Sequence, residues 1–427
     1  TMRVLILGSG GREHAIGLKI SGSSLLDATF FGPGNAGTEQ LGTNVPLDPM
    51  DFPAVVDFVK ANRIDMVVVG PEAPLVAGIA DHFAADKTLS SVSVIGPAKA
   101  GAALEGSKVF SKEFMHRHRI PTAKYGTFGK GEVRDALAFL RKMKAPYVVK
   151  ASGLAAGKGV VVTEVLAEAE AAVRSMIRGE AFGSAGKEIV IEEFLKGVEV
   201  SMFAVTDGNA WRLLSPAMDY KRIGEGNTGP NTGGMGAISP VPHVTPEFME
   251  KVKNQVVIPT IRGLQRDNIP YQGFLFFGLM KVQGDPYVIE YNCRLGDPET
   301  QIVLPLLETD LLHLMDGLAN GLLSEIDVSL SPKAAAAVIL ASEGYPGDYK
   351  KGEPITLPDS KTMDKDQHIV HAGTNVVNGE VVTSGGRVMA CVGMGADVKQ
   401  AAEKAHALAE AVQFKGKTYR SDIGTVA

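Results

Sequence analysis

Apolar runs without polar alternation set the strongest constraint on the fold of this chain. Within the first hundred residues these runs are "RVLIL" (3–7), "DMVVV" (65–69) and "SVSVI" (91–95). Strands buried on both faces of a parallel sheet have this composition, whereas a strand with one solvated face alternates. Helical stretches separate the runs. We therefore predict an α/β multidomain chain that begins with a doubly wound parallel α/β domain.

The remaining sequence predicts further domains, because 427 residues exceed what a single simple core usually organises. From about residue 124, amphipathic helices over 132–143 and 164–177 flank the strand "YVVK" and a glycine loop. This pattern predicts a small α+β lobe over about 124–190. The last hundred residues predict a small C-terminal α+β domain. The predicted domains are 1–103, 104–326 and 327–427.

Later strands and one long loop complete the predicted organisation. The runs 188–195 and 199–205 predict two strands joined by a turn, and 273–282 with 286–292 predict a β pair. Residues 221–242 form the longest stretch without a strand or helix pattern. Loops of that length inside compact proteins are usually functional or disordered.

The composition excludes several classes of function. A net charge of −5 argues against a protein dominated by nucleic-acid backbone or anionic membrane contacts. No apolar run approaches the roughly 20 residues that a membrane helix needs. Only two cysteines occur, so a disulfide framework is disfavoured and a reducing cytoplasm is expected. We expect small-molecule partners, no nucleic acid, no membrane, and a monomer or weak dimer.

The stretch "VVKASGLAAGKGVVV" (148–162) resembles a phosphate loop but lacks the familiar spacing. Gly153 and Gly157 enclose three residues instead of four, and Gly159 follows Lys158 where a Ser or Thr would ligate magnesium. Lys150 ends the preceding strand, so its ammonium and the flexible glycines suit phosphate groups. A surface β-turn with incidental lysines is the alternative.

The first strand leads into a second glycine loop, Gly8 to His14. Backbone amides at the start of the following helix suit an anionic group. Glu13 stands where the dinucleotide fingerprint requires glycine, which disfavours a nicotinamide cofactor. A terminal phosphate of a small substrate and a plain strand–helix turn both remain open.

The segment "YVIEYNCRLGDPET" (287–300) combines candidate metal ligands with a charged turn. Alternation places Val288, Glu290 and Asn292 on one strand face, with Ile289, Tyr291 and Cys293 on the other. Hard oxygen donors from Glu290 and Asn292 suit Mg²⁺, which also keeps water and substrate phosphates as ligands. A solvated strand face is the alternative for Glu290, and Cys293 is interpreted as core packing.

A tight turn follows that strand and carries Arg294, Asp297 and Glu299. These residues suit the binding of a carboxylate or phosphate beside the metal. Histidine pairs with zinc spacing and a Gly-x-Ser-x-Gly elbow are absent from the sequence, which disfavours zinc or serine hydrolysis.

Several motifs, in order along the whole chain, resemble the phosphoribosylamine–glycine ligase family of ATP-grasp enzymes. They include "GSGGREHA", "PGNAGT" (33–38), "VGPEAPL", "LEGSK", "IVIEEFL", "GPNTGGMGA" (229–237), "EYNCRLGDPETQ", "GYPGDY" and "HAGT…GGRV". Tyr220 and Leu295 stand where the family more often has His and Phe. The resemblance implies a pre-ATP-grasp domain, a two-lobed ATP-grasp core and a bacterial-type, monofunctional enzyme.

The resemblance also implies a set of site residues. The ATP contacts would be Lys108, Lys150, Gly153, Leu154, Ala155, Gly157, Lys158, Gly159, Glu192, Glu193, Phe194, Leu195 and Glu199. The contacts to glycine and phosphoribosylamine would be Gly10, Gly11, Asn35, Gly37, Thr38, Pro71, Glu72, Asn231, Thr232, Gly233, Gly234, Met235, Arg294, Gly296 and Asp297. Catalytic roles would fall to Lys150, Arg294 and Asp297, and Mg²⁺ or Mn²⁺ would bind Glu290 and Asn292.

The implied reaction is ATP-dependent ligation of glycine to 5-phosphoribosylamine through glycyl phosphate, in purine biosynthesis. Segment 153–159 would cover the ATP phosphates, and no protein nucleophile is required. The alternatives are another ATP-grasp ligase, such as a biotin-type carboxylase, and a nucleotide-binding regulatory protein without chemistry. The motifs at 229–237 and 293–301 favour glycine ligation.

Overall fold

The computed structural model describes residues 1–155 and 158–425, and its N-terminal segment forms a five-stranded parallel sheet. The strands are β1 (Met2–Gly8), β2 (Leu26–Pro33), β3 (Thr43–Asn44), β4 (Met66–Val69) and β5 (Ser93–Ile95). The helices are α1 (Gly11–Ser21), α2 (Phe52–Ala61), α3 (Glu72–Val76), α4 (Ile79–Ala84) and α5 (Lys99–Gly106). The strand order is β3-β2-β1-β4-β5, which confirms the predicted doubly wound domain.

The central strand β1 explains why its sequence does not alternate. Val4 and Ile6 point into one apolar core, while Leu5 and Leu7 point into another on the opposite face. Both faces are covered, so every position along the strand is apolar.

A separate small lobe follows helix α6 (Lys108–Arg117). Its elements are β6 (Tyr125–Phe128), α7 (Val133–Arg141), β7 (Tyr147–Ala151), β8 (Val160–Thr163), α8 (Leu166–Ile177) and β9 (Ile189–Glu193). The strands form a four-stranded antiparallel sheet in the order β6-β9-β7-β8. Helices α7 and α8 cover one face, where Leu140, Val149 and Val173 belong to a core confined to this lobe. We call residues 125–193 the small lobe.

The large lobe is built on a second four-stranded antiparallel sheet, in the order β11-β10-β16-β17. The strands after the small lobe are β10 (Val198–Thr206), β11 (Trp211–Leu213), β12 (Met218–Asp219), β13 (Arg222–Gly224), β14 (Thr228–Asn231), β15 (Gly236–Ser239), β16 (Gly273–Val282) and β17 (Asp285–Asn292). The helices of this part are α9 (Pro246–Val252), α10 (Ile258–Arg266), α11 (Thr300–Val303) and α12 (Leu311–Ala319). The β16–β17 pair confirms the predicted pairing.

The C-terminal part adds a five-stranded sheet. Its elements are β18 (Ala334–Ala341), β19 (Gln367–His371), β20 (Thr374–Val377), β21 (Glu380–Thr383), β22 (Arg387–Gly395) and α13 (Val398–Ala411). The sheet order is β12-β15-β18-β22-β19, so two strands from the large-lobe sequence belong to this sheet. The domain boundaries predicted from the sequence stay predictions, and the sheet crosses the one at 326/327.

Two sequence-based interpretations are wrong. Residues 221–242 are not structureless, because they contain the β13–β14 hairpin and strand β15. Glycine and proline hide these short strands from a pattern search. The strands at 188–195 and 199–205 are not a simple hairpin either, since β9 lies in the small-lobe sheet and β10 in the large-lobe sheet. The segment between them therefore connects the lobes.

Within the described ranges, the structure contains no helix long and apolar enough to cross a bilayer.

Candidate active site

One face of the small-lobe sheet is turned away from helices α7 and α8. Residues directly opposite each other on paired strands point to the same side of a sheet. Lys150 lies opposite Val160, and Val148 lies opposite Val162 and Glu192. Because Val149 points into the helix-covered core, these residues face the other way. Val160 and Val162 are 41% and 52% exposed, an apolar surface beside the lysine that sequence reasoning missed.

Lys150 is buried in an ion-pair cluster at the base of this face. Its ammonium pairs with Glu192 Oε1, and Lys112 Nζ lies 2.6 Å from Glu192 Oε2. Burial raises the pKa of the Glu192 carboxyl, but the two lysines more than offset this and hold the pKa below its usual value. The Glu192 side chain is therefore engaged by lysines. Any contact with a nucleotide base from this strand would come from backbone or from its neighbours.

The glycine loop is anchored to the start of α6. Lys108 N donates to Ser152 O at 2.9 Å, and Val109 N donates to Ser152 Oγ at 3.2 Å. A Cβ on Gly153 would lie 2.7 Å from Ala185 Cα, so only glycine allows this approach. Lys108 Nζ lies 3.5 Å from Gly153 O, so the lysine predicted to contact ATP lies at the loop. The predicted contact Gly157 lies outside the described residues.

The connection after β9 offers a mixed polar and apolar surface. Glu193 Oε1 accepts a hydrogen bond from Lys124 N at 2.9 Å. Phe194 is 45% exposed and Leu195 is half-buried. Apolar side chains and chain backbone are thus available where the two lobes join.

The large-lobe sheet presents oxygen-bearing side chains on one face. Register pairs Gly278 of β16 with Glu290 and with Ser201 of β10, and Phe276 with Asn292. Glu290 and Asn292 therefore lie side by side on one face, as predicted. Glu290 is exposed, whereas Asn292 is buried, with only 7% of its surface exposed. Gly278 leaves room for Glu290, whose Cγ would lie 3.1 Å from a Cβ there.

A β-bulge corrects one part of that prediction. The register shifts between Gly278 and Leu279, so that Ile289 is an extra residue. Val288 consequently shares a core with Tyr291 and Cys293 and does not share the face of Glu290. Cys293 is buried, as interpreted from the sequence, and burial raises its thiol pKa well above normal.

The same face carries an ion pair between Glu199 of β10 and Lys221, which follows β12. Lys221 Nζ lies 3.0 Å from Glu199 Oε2, and the carboxylates of Asp219, Glu199 and Glu290 together raise the pKa of Lys221. The predicted ATP contact Glu199 is thus paired with a lysine. Burial lowers the pKa of Lys108, Glu290 of the large lobe raises it, and Lys150 of the small lobe lowers it. Lys108 therefore interacts with charged groups of both lobes.

Arg294 lies at the centre of a buried arginine cluster. Its Nη2 lies 3.0 Å from Glu105 Oε2 and its Nε lies 3.3 Å from Glu72 Oε2. Burial lowers the pKa of the guanidinium, but Glu105 and Glu72 reverse that and raise it overall. Sequence reasoning missed Glu105, which also accepts a hydrogen bond from Cys293 N at 2.9 Å. Pro71 directly precedes Glu72 and α3.

The first glycine loop is occupied by protein carboxylates. Glu13 Oε1 accepts from Gly10 N at 2.9 Å, and Asp297 Oδ2 accepts from Arg12 N at 3.3 Å. A Cβ on Gly8 or Gly70 would lie 2.5 or 2.4 Å from Glu13, so both glycines make space for that carboxylate. The amides of Gly10 and Arg12 therefore have acceptors already, which narrows the predicted anion contact to the neighbouring Gly11.

The loop at 33–38 is internally satisfied. Asn35 Oδ1 accepts from Gly37 N at 2.9 Å and Thr38 N at 3.1 Å, and Asn35 Nδ2 donates to His371 O at 3.0 Å. Thr38 is fully buried, and its hydroxyl donates a hydrogen bond to Asn44 Oδ1 at 2.6 Å. Asn35 and Thr38 stay predicted substrate contacts; in the structure the Asn35 amide ties the loop to His371 of the C-terminal domain, while the Thr38 hydroxyl bonds within the N-terminal domain.

His14 and His371 continue that joint. His14 Nδ1 accepts from His371 N at 2.7 Å, and both side chains are buried. Burial lowers the pKa of His14 to about 3 and that of His371 to about 4. Both imidazoles are therefore neutral near pH 7.

The 229–237 loop reaches the same junction from the large lobe. Thr232 Oγ1 accepts from Gly234 N at 3.0 Å, while Gly233 N donates to Tyr345 Oη at 3.0 Å. Asn231 is exposed, whereas Met235 is completely buried and packs rather than contacting solvent. Gly296 is also buried, and a Cβ there would lie 2.4 Å from Glu299 Oε2.

Asp297 joins this loop to the rest of the site. Gln301 Nε2 donates to its Oδ1 at 2.7 Å, and Arg387 Nη1 lies 3.7 Å from the same oxygen. Burial raises the pKa of Asp297, but Arg387 and Arg12 lower it by a larger amount, so its net pKa is below normal. Sequence reasoning quoted the motif that contains Arg387 without assigning it a role.

The structure thus places the predicted ATP-binding lysines and the predicted metal ligands on two chemically different walls, and the electrostatic neighbours of Lys108 include Lys150 of one wall and Glu290 of the other. The small lobe supplies ammonium groups, a glycine loop and exposed valines, while the large lobe supplies carboxylate and amide oxygens. The arginine cluster lies at the end of the large-lobe strand β17. Among the described residues no group of three or more His, Cys, Asp or Glu side chains is arranged to hold a metal ion by itself.

Family comparisons cover nearly the whole chain. Residues 2–105 match the N domain of phosphoribosylglycinamide synthetase, 106–300 match its ATP-grasp (A) domain, and 335–426 match its C domain.

Curated relatives and solved structures agree with those matches. The phosphoribosylamine–glycine ligase of Pasteurella multocida is 48% identical over 99% of this chain and 97% of its own length, and that of Pseudomonas aeruginosa is 47% identical with the same coverage. The Thermotoga maritima ligase structure has a TM-score of 0.85 at 38% identity, covering 98% of this chain and 99% of that chain. A Campylobacter jejuni biotin carboxylase structure, with a TM-score of 0.73, 14% identity and coverage of 98% and 93%, shares the fold alone.

Proposed function

This chain belongs to the phosphoribosylglycinamide synthetase family, and we propose that the cleft between its two lobes is where that chemistry takes place. The chain is an ATP-grasp ligase that joins glycine to 5-phosphoribosylamine with ATP, a reaction of purine biosynthesis. The observation that carries the proposed site is the pairing of opposite chemistries across one cleft. Lys150 lies on the small-lobe face turned away from α7 and α8, Glu290 and Asn292 lie side by side on the large-lobe sheet, and Lys108 has both Lys150 and Glu290 as electrostatic neighbours.

In this proposal ATP lies between the two sheets. Its phosphates contact Lys108, Lys150 and the described glycines of the loop, and its base packs on Val160, Val162 and the connection after β9. Ammonium groups on a rigid strand and helix end bind phosphate through charge-assisted hydrogen bonds. The exposed valines give the base an apolar surface, which is typical of small-molecule sites.

A divalent cation fits the opposite wall. Glu290 is exposed on the cleft face with Asn292 beside it, and both are oxygen donors of the kind Mg²⁺ and Mn²⁺ accept. These two side chains would hold the ion, which would neutralise charge on the ATP phosphates. The remaining ligands would come from water and phosphate oxygens.

The residues of this chain then act by positioning and by electrostatic stabilisation. The glycine carboxylate attacks the γ-phosphate of ATP, which releases ADP and forms glycyl phosphate. The amine of 5-phosphoribosylamine attacks the acyl carbon, loses a proton, and releases phosphate as the amide forms. Arg294 would orient the glycine carboxylate. Asp297 contacts Arg12 of the N-terminal loop and Arg387 of the C-terminal domain, and from this position it would hold the acceptor.

The domain limits 1–103, 104–326 and 327–427 are part of the proposal, as is a cytoplasmic location. Both cysteines are free and buried, which is compatible with a reducing compartment. Absence of nucleic-acid and membrane partners and a monomer or weak dimer also stay predictions.

The test is ADP release with MgATP, glycine and 5-phosphoribosylamine generated in situ, omitting each component in turn. We expect sustained ADP release only when glycine and the amine are both present, because without the amine the glycyl phosphate is not consumed. ADP release that is indifferent to glycine would contradict the proposal that this cleft activates the glycine carboxylate.

A further inference from the structure

Guanidinium groups from three parts of the chain meet where the N-terminal loop, the turn after β17 and the C-terminal domain come together. Two of them are committed to carboxylates. Arg12 Nε lies 2.7 Å from Glu13 Oε2, and Arg294 lies 3.3 Å from Glu72 and 3.0 Å from Glu105. Their side chains are only 11% and 16% exposed. Arg12 is thus occupied by protein groups, and Arg294, held by two carboxylates, is the guanidinium assigned above to the glycine carboxylate.

Arg387 is the third guanidinium, and it is used differently. It begins β22, and only its Nη1 is engaged, by Asp297 O at 3.0 Å and Gly234 O at 3.5 Å. The nearest carboxylate oxygen, Asp297 Oδ1, is 3.7 Å away, and the side chain is 22% exposed. Within residues 1–155 and 158–425, its Nε and Nη2 donate no hydrogen bond to protein.

Glycine makes room for this side chain. A Cβ on Gly233 would lie 2.8 Å from Arg387 Cζ and 3.0 Å from its Nη2, so the guanidinium lies directly against backbone. Gly233 itself is exposed. The uncommitted Nε and Nη2 edge of Arg387 therefore lies beside an open glycine loop that was already predicted to contact substrate.

The place of Arg387 in the cluster indicates which anion it meets. Arg294 follows Asn292 of the proposed metal-binding face by two positions, and Arg12 Nη1 donates to the carbonyl of the next residue, Leu295, at 3.1 Å. Asp297 Oδ2 accepts from Arg12 N at 3.3 Å, and its Oδ1 lies 3.7 Å from Arg387 Nη1. Arg387 is therefore at the far end of the cluster from the proposed metal-binding face. In the proposed function, phosphoryl transfer and attack by the amine take place near that face, so an anion at the far end belongs to the other end of the acceptor.

We propose that Arg387 binds the 5-phosphate of 5-phosphoribosylamine, so that the C-terminal domain contributes a specificity-determining residue to the ligase. In 5-phosphoribosylamine the amine and the phosphate stand at opposite ends of the sugar. The planar, always charged guanidinium suits bidentate phosphate recognition through two adjacent nitrogens. This inference rests on the proposed function, because it takes that substrate as the acceptor.

The experiment compares Arg387→Met and Arg387→Lys with Arg262→Met, a matched control at an exposed arginine of α10. KM is measured separately for 5-phosphoribosylamine, glycine and ATP. Binding of ribose 5-phosphate and of ribose is measured by calorimetry without turnover. For Arg387→Met we expect about a ten- to hundredfold rise in KM for 5-phosphoribosylamine and loss of ribose 5-phosphate binding. KM for glycine should stay within about twofold, and lysine should restore part of the binding.

Other outcomes overturn the inference. A rise in KM for glycine alone would assign Arg387 to the glycine carboxylate, and equal rises for all three substrates would leave it a structural role. If Arg387→Met does not fold, Arg387→Lys decides, since unchanged ribose 5-phosphate binding in that variant would contradict bidentate recognition. Failure of the proposed function is distinguishable, because wild-type enzyme would then bind ribose 5-phosphate without glycine-dependent ADP release.

Discussion

The small-lobe and large-lobe sheets share a plan, four antiparallel strands each, but differ in chemistry and in anchorage. The small-lobe sheet carries Lys150 and exposed valines on the face turned away from its helices, and its apolar core is its own. The large-lobe sheet carries Glu290 and Asn292 on the face that we propose to line the same cleft. Its faces are shared with cores that include the N-terminal sheet, and one of them also includes C-terminal strands.

This difference separates two tasks. A metal nucleotide carries phosphate charge that suits ammonium groups and a cation that suits oxygen donors, so walls of unlike chemistry can bind it together. A lobe with a separate core also opens with its own free energy, while elements that share a core open together. We infer that the large-lobe wall, where we propose that the metal binds, is the fixed reference and the small lobe is the independently stable part. We call everything outside the small lobe the body.

The largest expected effect tests that separation through two matched core leucines. Leu140 of α7 and Leu314 of α12 are both completely buried, in the small-lobe core and in a body core. Each Leu→Ala change should cost about 2–5 kcal/mol of stability by leaving a cavity. In Leu140→Ala the faster amide exchange should be confined to residues 125–193, whereas in Leu314→Ala it should spread through the body. Faster exchange throughout the body in Leu140→Ala would break the comparison.

The next effect concerns the large-lobe wall. Glu290→Ala should lower glycine-dependent ADP release by more than about 100-fold, because it removes a proposed metal ligand from an exposed position. The melting temperature should stay close to wild type. Asp285→Asn, at the other end of the same strand, is the matched control and should retain activity. Wild-type turnover by folded Glu290→Ala at saturating Mg²⁺ would contradict the assignment.

The smallest of these effects sharpens the contrast through pH. Burial depresses the pKa of His14, which joins the N-terminal loop to the C-terminal domain, from an ordinary 6.5 to about 3. The neutral ring therefore contributes stability that is complete above pH 6.5 and is lost as the pH falls towards 3. At pH 5 the body should be about 2 kcal/mol less stable than at pH 8 from this group.

Urea titrations at both pH values measure that loss, and His14→Gln should reduce the pH dependence by about that amount, leaving the part due to His371. The fluctuations confined to residues 125–193 should change less, because the histidine joint lies entirely in the body. An unchanged pH dependence in a folded His14→Gln protein would refute the role given to this group.

Much of the fold could be predicted from the sequence, because the patterns that mark strands extend over only a few consecutive residues. Strand β1 and the β16–β17 pair are readable from consecutive apolar residues. Glu290 and Asn292 were expected on one face, and they are, because alternation is intact on that side of the bulge. Val288 was misassigned, since a one-residue insertion at Ile289 reverses the face and leaves no mark in the sequence.

Contacts between distant residues could not be predicted in the same way. Arg12 meets Asp297 across 285 positions, and Arg387 meets Gly234 across 153. Asn35 was expected at substrate, yet its amide is used by the C-terminal strand end at His371. The periodicity of a sequence does not show which polar side chains already form hydrogen bonds with a distant part of the chain.

The most direct test of the central claim is amide exchange with and without a non-hydrolysable ATP analogue and Mg²⁺. If the nucleotide is held between the two walls, protection should rise together in β7–β8 of the small lobe and in β17 of the large lobe. The edge strand β3 of the N-terminal sheet should stay unchanged. Protection of only one wall, or an equal rise throughout the chain, would contradict the account.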